Sequence, residues 1–395
     1  MDRLLGTVSM GLRAPIINSG DDIAQIACDT LLKASEMHSF KIEDRDILAI
    51  TESVLARAQG NYVTTEQISK DVSRKMKTRD FAILNPILSR NRFAIILRGI
   101  AKAADKLLIQ LPYPADEVGN ELVPRRDIPY DEDLSKVYTE EEFRKRFPSL
   151  EHPITKVDYP AYYKELCREE GCEAEIIFSN DPKTVLDYKK SVITCDIHRR
   201  EDTKSYLDKI DEESNVYGLY EIMTESIDGS GYNEKYGLLG SNKASEDKIK
   251  LFPREGQDTV EKVRQMIKDK TGKNIEVMIY GDGAFCDPVC QIWELADPVV
   301  SPFHTEGLKG TPHELKLKYL ADDAYANLSK SEQESKIREA IKNKSVEETA
   351  GMAGEGTTPR QLTDLLGSLC DLTSGSGDKG TPIIYIKGYF DSYIA

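Results

Sequence analysis

The chain has 395 residues, 39% of them hydrophobic and 31% charged, with a formal net charge of −15. That length is too great for one ordinary core and predicts two or more units, or one core with a large insertion. The acidic balance argues against a nucleic-acid partner or an anionic membrane surface, and no apolar run is long enough to span a bilayer. Seven cysteines with no secretion signal ahead of them read as reduced thiols in a cytoplasmic protein. Cys286-x3-Cys290, with His304 and His313 downstream, matches neither a zinc knuckle nor a zinc ribbon, which leaves partly buried free thiols as the simpler reading.

Residues 1–112 read as mixed α/β. Gly20-Asp21-Asp22 precedes Ile23, Ile26, Ala27, Thr30 and Leu31 at helical spacing, a helix start. Residues 46–51 form an apolar, partly β-branched run, hence a buried strand. Thr64 and Gln67 frame a capping box for a helix reaching Met76. Residues 79–104 read as mostly helix, interrupted near Pro86, and 106–111 as a strand.

Residues 113–231 change character. Pro112, Pro114, Pro124 and Pro129 punctuate an acidic, turn-rich stretch. Thr139 and Glu142 cap a short helix, and Asp158-Tyr159-Pro160 starts another with proline in its first turn. Strands are predicted at 175–178, 191–196 and 217–223, with helices between. The pattern predicts an inserted α/β segment.

In residues 232–395, Asp258 and Glu261 can box a helix that places Val260, Val263 and Ile267 on one face and stops at Gly272. The strand 275–280 runs into Gly281-Asp282-Gly283. Helices are predicted near 313–327, 330–342 and from Thr358-Pro359 through Cys370. A glycine-rich loop, 374–380, precedes the strand 382–387.

Two places suit chemistry. A carboxylate between glycines at the carboxyl end of a strand, Asp282, can meet a hydrated magnesium or manganese ion, or can simply close a tight turn. The small residues of 373–380 can expose backbone N–H groups to phosphate oxygens, with Lys379 adding charge, or can serve as a connector. The loop is not a Walker motif, because a strand follows it and the Gly-Lys-Ser/Thr ending is missing. Asp196-x-His198-Arg199-Arg200 can bind an anion, although a surface ion-pair cluster is the commoner outcome. His304 and His313 fall in a loop region, where they are acid–base candidates or ordinary exposed imidazoles.

Three ordered blocks resemble the coenzyme F420-0:L-glutamate ligase family. The first is Arg13-Ala14-Pro15-Ile16-Ile17, Gly20-Asp21-Asp22-Ile23-Ala24, Glu43-Asp44-Arg45-Asp46-Ile47-Leu48 and Ser53-Val54-Leu55-Ala56-Arg57-Ala58-Gln59-Gly60. The second is Gly237-Leu238-Leu239-Gly240-Ser241-Asn242, Lys250-Leu251-Phe252-Pro253, and the helix and strand-turn that follow, to Gly283. The third is Leu362-Thr363-Asp364-Leu365-Leu366, the glycine-rich loop and Thr381-Pro382-Ile383-Ile384.

The resemblance implies an α+β fold: a mixed-sheet core from residues 1–112 plus 232–395, with 113–231 as a large α/β insertion. It implies a GTP-dependent γ-glutamyl ligase using magnesium or manganese, acting on a small molecule as a homodimer. The nucleotide positions it implies are Arg13, Ala14, Pro15, Ile16, Glu52, Ser53, Arg57, Asn242, Gly375, Ser376 and Gly377. Asp282 is the implied metal ligand; no catalytic residue follows from the motifs. Leu239, Gly281 and Ser376 stand where the family carries acids. These departures keep a second expectation open, a non-catalytic or regulatory member that binds a phosphorylated ligand or a protein.

Overall fold

The computed structural model describes residues 4–152, 155–283, 296–312, 314–344, 360–375 and 377–392. In chain order its strands are β1 (Val8–Leu12), β2 (Ile47–Thr51), β3 (Tyr62–Thr64), β4 (Asp80–Leu84), β5 (Lys106–Leu111), β6 (Tyr138–Thr139), β7 (Glu173–Phe178), β8 (Ser191–Thr194), β9 (Asn215–Gly218), β10 (Asn242–Lys243), β11 (Lys248–Lys250), β12 (Glu276–Tyr280), β13 (Phe303–His304) and β14 (Ile383–Lys387). The helices are α1 (Ile23–His38), α2 (Glu52–Ala58), α3 (Thr65–Met76), α4 (Phe93–Lys102), α5 (Glu140–Arg146), α6 (Tyr159–Glu169), α7 (Arg200–Ile210) and α8 (Gly256–Thr271), followed by Lys330–Asn343 and Leu362–Ser374.

Strict two-residue alternation builds the first sheet, whose order is β1-β14-β2-β12-β13. Leu48, Ile50, Val277, Ile279, Ile383 and Tyr385 point to one face, where α1 and α8 cover them. Ile47, Ala49, Met278, Tyr280, Ile384 and Ile386 point to the other, under the Leu362–Ser374 helix. Within this sheet β2 and β12 are parallel, whereas β14 runs antiparallel to both β1 and β2.

The second sheet has the order β6-β7-β5-β4-β8-β9. Only β6 is antiparallel to its neighbour; the other five strands are parallel. Side chains from α3, α4 and α6 pack with Phe81, Ile83, Leu107 and Ile109 on one face. Leu207 of α7 and Val185 pack with Ala82, Leu84 and Val192 on the other. The order out from β4 through β5 to β7, then back to β8 and β9, is that of a doubly wound sheet. A three-stranded ribbon, β10-β11-β3, completes the molecule.

The capping boxes at Thr64 and Thr139 and the N-caps at Asp22 and Asp158 form as expected. Gly272 ends α8 at φ 74. Five expectations change. Residues 80–84 are a strand rather than helix: with helices on both faces, the buried Phe81-Ala82-Ile83-Leu84 carries no polar alternation that would reveal a strand. β9 ends at Gly218, and Leu219–Glu221 is a 3-10 turn. α8 starts at Gly256, two residues ahead of Asp258, and lacks a side-chain cap. The helix expected near 313–327 is a short turn, Leu317–Tyr319, that widens to a π turn at Leu320–Ala324. The expected seam at 112/113 crosses one sheet, since β5 pairs with β7 along its whole length. The expected helix start at Thr358-Pro359 lies outside the described residues.

Candidate functional site

Because β2 and β12 are parallel, with Thr51 opposite Tyr280, their carboxyl ends open at one place. Glu52 follows the first strand and begins α2; Gly281-Asp282-Gly283 follows the second. The Asp282 N–H donates to Asp297 Oδ2 at 2.6 Å, and the Gly283 N–H to Asp371 Oδ2 at 3.0 Å. Asp371 lies in the last turn of the Leu362–Ser374 helix. A Cβ at position 281 would sit 2.2 Å from Asp297 Oδ2 and 3.5 Å from Glu52 Cγ, so a glycine there lets these acids converge.

Two cations enter from outside the first sheet. Arg92, at the start of α4, donates from Nη1 to Asp297 Oδ1 at 2.9 Å and from Nη2 to Asp282 Oδ2. Lys250, on β11, donates to Ser53 Oγ and stands 3.9 Å from Glu52 Oε1. The register of the ribbon puts Asn242 opposite Lys250, so this expected nucleotide residue joins the same neighbourhood as Glu52 and Ser53.

The electrostatics follow from crowding acids in a dry place. Glu52 is 5% exposed, and its Oε2 has no hydrogen-bond partner among the described residues. Burial, with Asp297 adding to it against the pull of Lys250 and Arg92, pushes its carboxyl up to about 7. Burial and then Asp297 push Asp282 up to about 8, although Arg92 opposes this. Burial also raises Asp371. Burial works against the Arg92 charge, but Asp297 and Asp282 outweigh it and hold the guanidinium firmly protonated.

Of the other expected nucleotide residues, Arg13 and Pro15 line a neighbouring groove. The Ala14 N–H donates to Gly380 O at 3.1 Å, which joins the exit of β1 to the glycine-rich loop. Arg13, Pro15, Lys33, Thr373, Lys379 and Thr381 line a groove of about 1090 Å³. Gly375 has φ 60, and a Cβ there would meet Lys379 Nζ at 2.5 Å, so the lysine folds back over its own loop. The Thr51 N–H donates to Pro382 O at 2.9 Å and ties this groove to the acids at the end of β2. Ile16 is 80% exposed, and Arg57 lies on the exposed side of α2. Gly377 opens a short 3-10 turn, and Ser376 lies outside the described residues.

The resemblance implies a divalent ion on Asp282. Among the described residues no three His, Cys, Asp or Glu side chains are placed to hold one. Asp297 has one oxygen on Arg92 and the other on the Asp282 N–H, and Arg92 also holds Asp282. The donor set as arranged fits a guanidinium, not a divalent ion. The cluster at 196–200 is also answered internally: the N–H groups of Ile197, His198 and Arg199 all donate to the Glu117 carboxylate, at 2.6, 3.1 and 2.8 Å. Cys286, Cys290 and His313 lie outside the described residues, and His304 Nδ1 lies 3.0 Å from Thr305 O.

Sequence reasoning missed Arg92, Asp297 and Asp371 and passed over the role of Lys250. Only Lys250 had a signal, since it opens the Lys250-Leu251-Phe252-Pro253 block. Arg92 and Asp282 are 190 residues apart, and no local pattern joins them.

The family model for F420-0:gamma-glutamyl ligase matches residues 11–388. No curated protein matches the chain. The match covers nearly the whole chain and passes through both sheets and every segment that builds the acid cluster and the groove, and the chain therefore belongs to the F420-0:gamma-glutamyl ligase family.

Proposed function

We propose that this protein is a nucleotide-driven γ-glutamyl ligase acting on a small-molecule carboxylate, with GTP as the nucleotide the family implies and a homodimer as the working form. One observation carries the reading. The β1 exit and the glycine-rich loop, from the first and last blocks of the sequence, put Arg13 and Lys379 on one groove, and the Thr51 N–H bond to Pro382 O ties that loop to the β2–α2 junction, where Lys250 stands beside Glu52.

In the proposed reaction the substrate carboxylate attacks the terminal phosphorus and the nucleoside diphosphate leaves, giving an acyl phosphate. The glutamate amine then attacks the acyl carbon, inorganic phosphate leaves, and the amine loses a proton as the amide forms. Arg13 and Lys379 face the groove and suit a phosphate chain. Glu52, buried and held near neutrality, suits the proton from the amine. No step is assigned to a metal ion at Asp282.

The test is turnover. With F420-0, L-glutamate and GTP or ATP, the protein should release nucleoside diphosphate only when glutamate is present, and mass spectrometry should find the amide that joins the F420-0 carboxyl group to the glutamate nitrogen. Nucleotide binding without either product would overturn the enzyme reading and leave the regulatory one.

A further inference from the structure

We propose that Arg92 is the resident cation of the Glu52, Asp282, Asp297 and Asp371 cluster, and that while it is in place the cluster takes up no divalent ion. The inference deepens the ligase reading, because it says what kind of positive charge this site presents, but its test needs no nucleotide.

The geometry is specific. Asp282 and Asp297 belong to the segments at the end of β12, whereas Arg92 arrives from the doubly wound sheet, yet its two Nη atoms meet one carboxylate each. A planar fork suits two acids held at a fixed angle, which an ammonium group would not reproduce. Its side chain is 16% exposed, so both pairs are largely shielded from water.

The arginine is also pre-positioned. Asp116, buried, accepts the Leu88 N–H at 2.7 Å. Tyr163 Oη accepts the Ser89 N–H at 3.1 Å and donates to Ile87 O at 2.6 Å. The Arg92 N–H donates to Ser89 Oγ at 3.1 Å, and the Lys243 N–H to Asn91 O at 2.8 Å. The loop 87–92 is thereby fixed along its length, and little ordering remains when the guanidinium meets its acids.

A divalent ion competes poorly for this place. It needs several oxygen ligands with anionic charge among them. Here Asp282 Oδ2 and Asp297 Oδ1 are already engaged by Arg92, and a permanent positive charge stands between them. A guanidinium that served only as a strut between the two sheets would make a different prediction: its loss would loosen the fold and create no metal site.

Manganese alone, titrated into the full-length protein and followed by electron paramagnetic resonance, separates these cases. The wild type should show no saturable binding that Asp282→Asn changes. Arg92→Met should bind manganese at least about tenfold more tightly than wild type, since the two carboxyl groups it holds become available to the ion, and Arg92→Met with Asp282→Asn should lose the gain. Arg92→Lys should stay within about threefold of wild type, because a charge remains. Manganese binding by the wild type that Asp282→Asn abolishes would overturn the proposal, as would a folded Arg92→Met protein with no gain. If Arg92→Met does not fold, the wild type against Asp282→Asn comparison still decides. Because the readout is metal uptake, failure here leaves the turnover test of ligation untouched, and the reverse holds too.

Discussion

The two large sheets are each covered by helices on both faces, yet they use the carboxyl ends of their strands in opposite ways. In the five-stranded sheet, β2 and β12 end in Glu52 and Asp282, crowded with Asp297 and Asp371 and partly unsatisfied. In the six-stranded sheet the corresponding ends are partly bridged by local hydrogen bonds, while Gln110 Oε1, Thr194 Oγ1 and Asp196 Oδ2 have no partner among the described residues. Asn85, after β4, donates to Asp196 Oδ1 at 3.1 Å, and Glu117 fills the three N–H groups that follow Asp196. Doubly wound sheets commonly bind ligands between such strands. Here Asn85 and Glu117 bridge that place, and the sheet delivers Arg92 to the acid cluster from the start of α4. Strand topology marks where a site can form; the side chains at the strand ends decide whether one does.

The sharpest way to break this comparison is Glu52→Gln. If the five-stranded sheet carries the chemistry, kcat for glutamate-dependent nucleotide turnover should fall by roughly 10² to 10⁴ with the fold intact. The same variant has a stability signature. Glu52 is raised from 4.5 to about 7 in the folded protein, and Asp282 from 3.8 to about 8, so the folded state holds protons that the unfolded state has released. Stability from these groups is fully present below pH 4 to 4.5 and is lost as pH rises through 7 to 8. Thermal melts between pH 5 and pH 8.5 should show Tm falling for wild type and falling less for Glu52→Gln; parallel curves would deny Glu52 its raised pKa.

Gly281→Ala comes next. Its Cβ would press on Asp297 Oδ2 at 2.2 Å, and the φ there is not left-handed, so the cost is steric, about 1–3 kcal/mol in urea unfolding, with turnover lost alongside. Glu117→Ala tests the other sheet. It strips a charged acceptor from three backbone donors and should cost about 2 kcal/mol while kcat stays near wild type. A large kcat loss there would mean the six-stranded sheet also serves the reaction. Thr64→Ala removes the cap of α3, and should cost only about 1 kcal/mol without touching turnover.

Local chemistry was legible in the sequence where it is local in space. Thr64 with Gln67, Thr139 with Glu142, Asp22 and Gly272 each act within a few residues of themselves. β4 was not legible, because a strand buried on both faces loses its alternation. The membership of 113–231 in a shared sheet was hidden for a related reason: parallel pairing joins strands far apart, such as β5 with β7, and leaves no hairpin signal between them. At the site, Asp282 could be picked out as an acid at a strand end, and Glu52 only as a nucleotide position implied by the family resemblance. Their partners could not. Arg92, Asp297 and Asp371 acquire meaning only once the chain has folded, since each reaches the cluster from a different element.

β14 lies between β1 and β2, antiparallel to both. As the chain leaves the ribosome, those two early strands therefore wait, with the facing edges of their backbones unpaired, until residues 383–387 emerge. The six-stranded sheet has no such wait, since its strands all lie between 80 and 218. The two halves should mature in sequence, the middle one first. Until β14 slots in, the Thr51 N–H also lacks its Pro382 acceptor, so a nascent chain short of that strand would carry a finished arginine arm and an unfinished pocket.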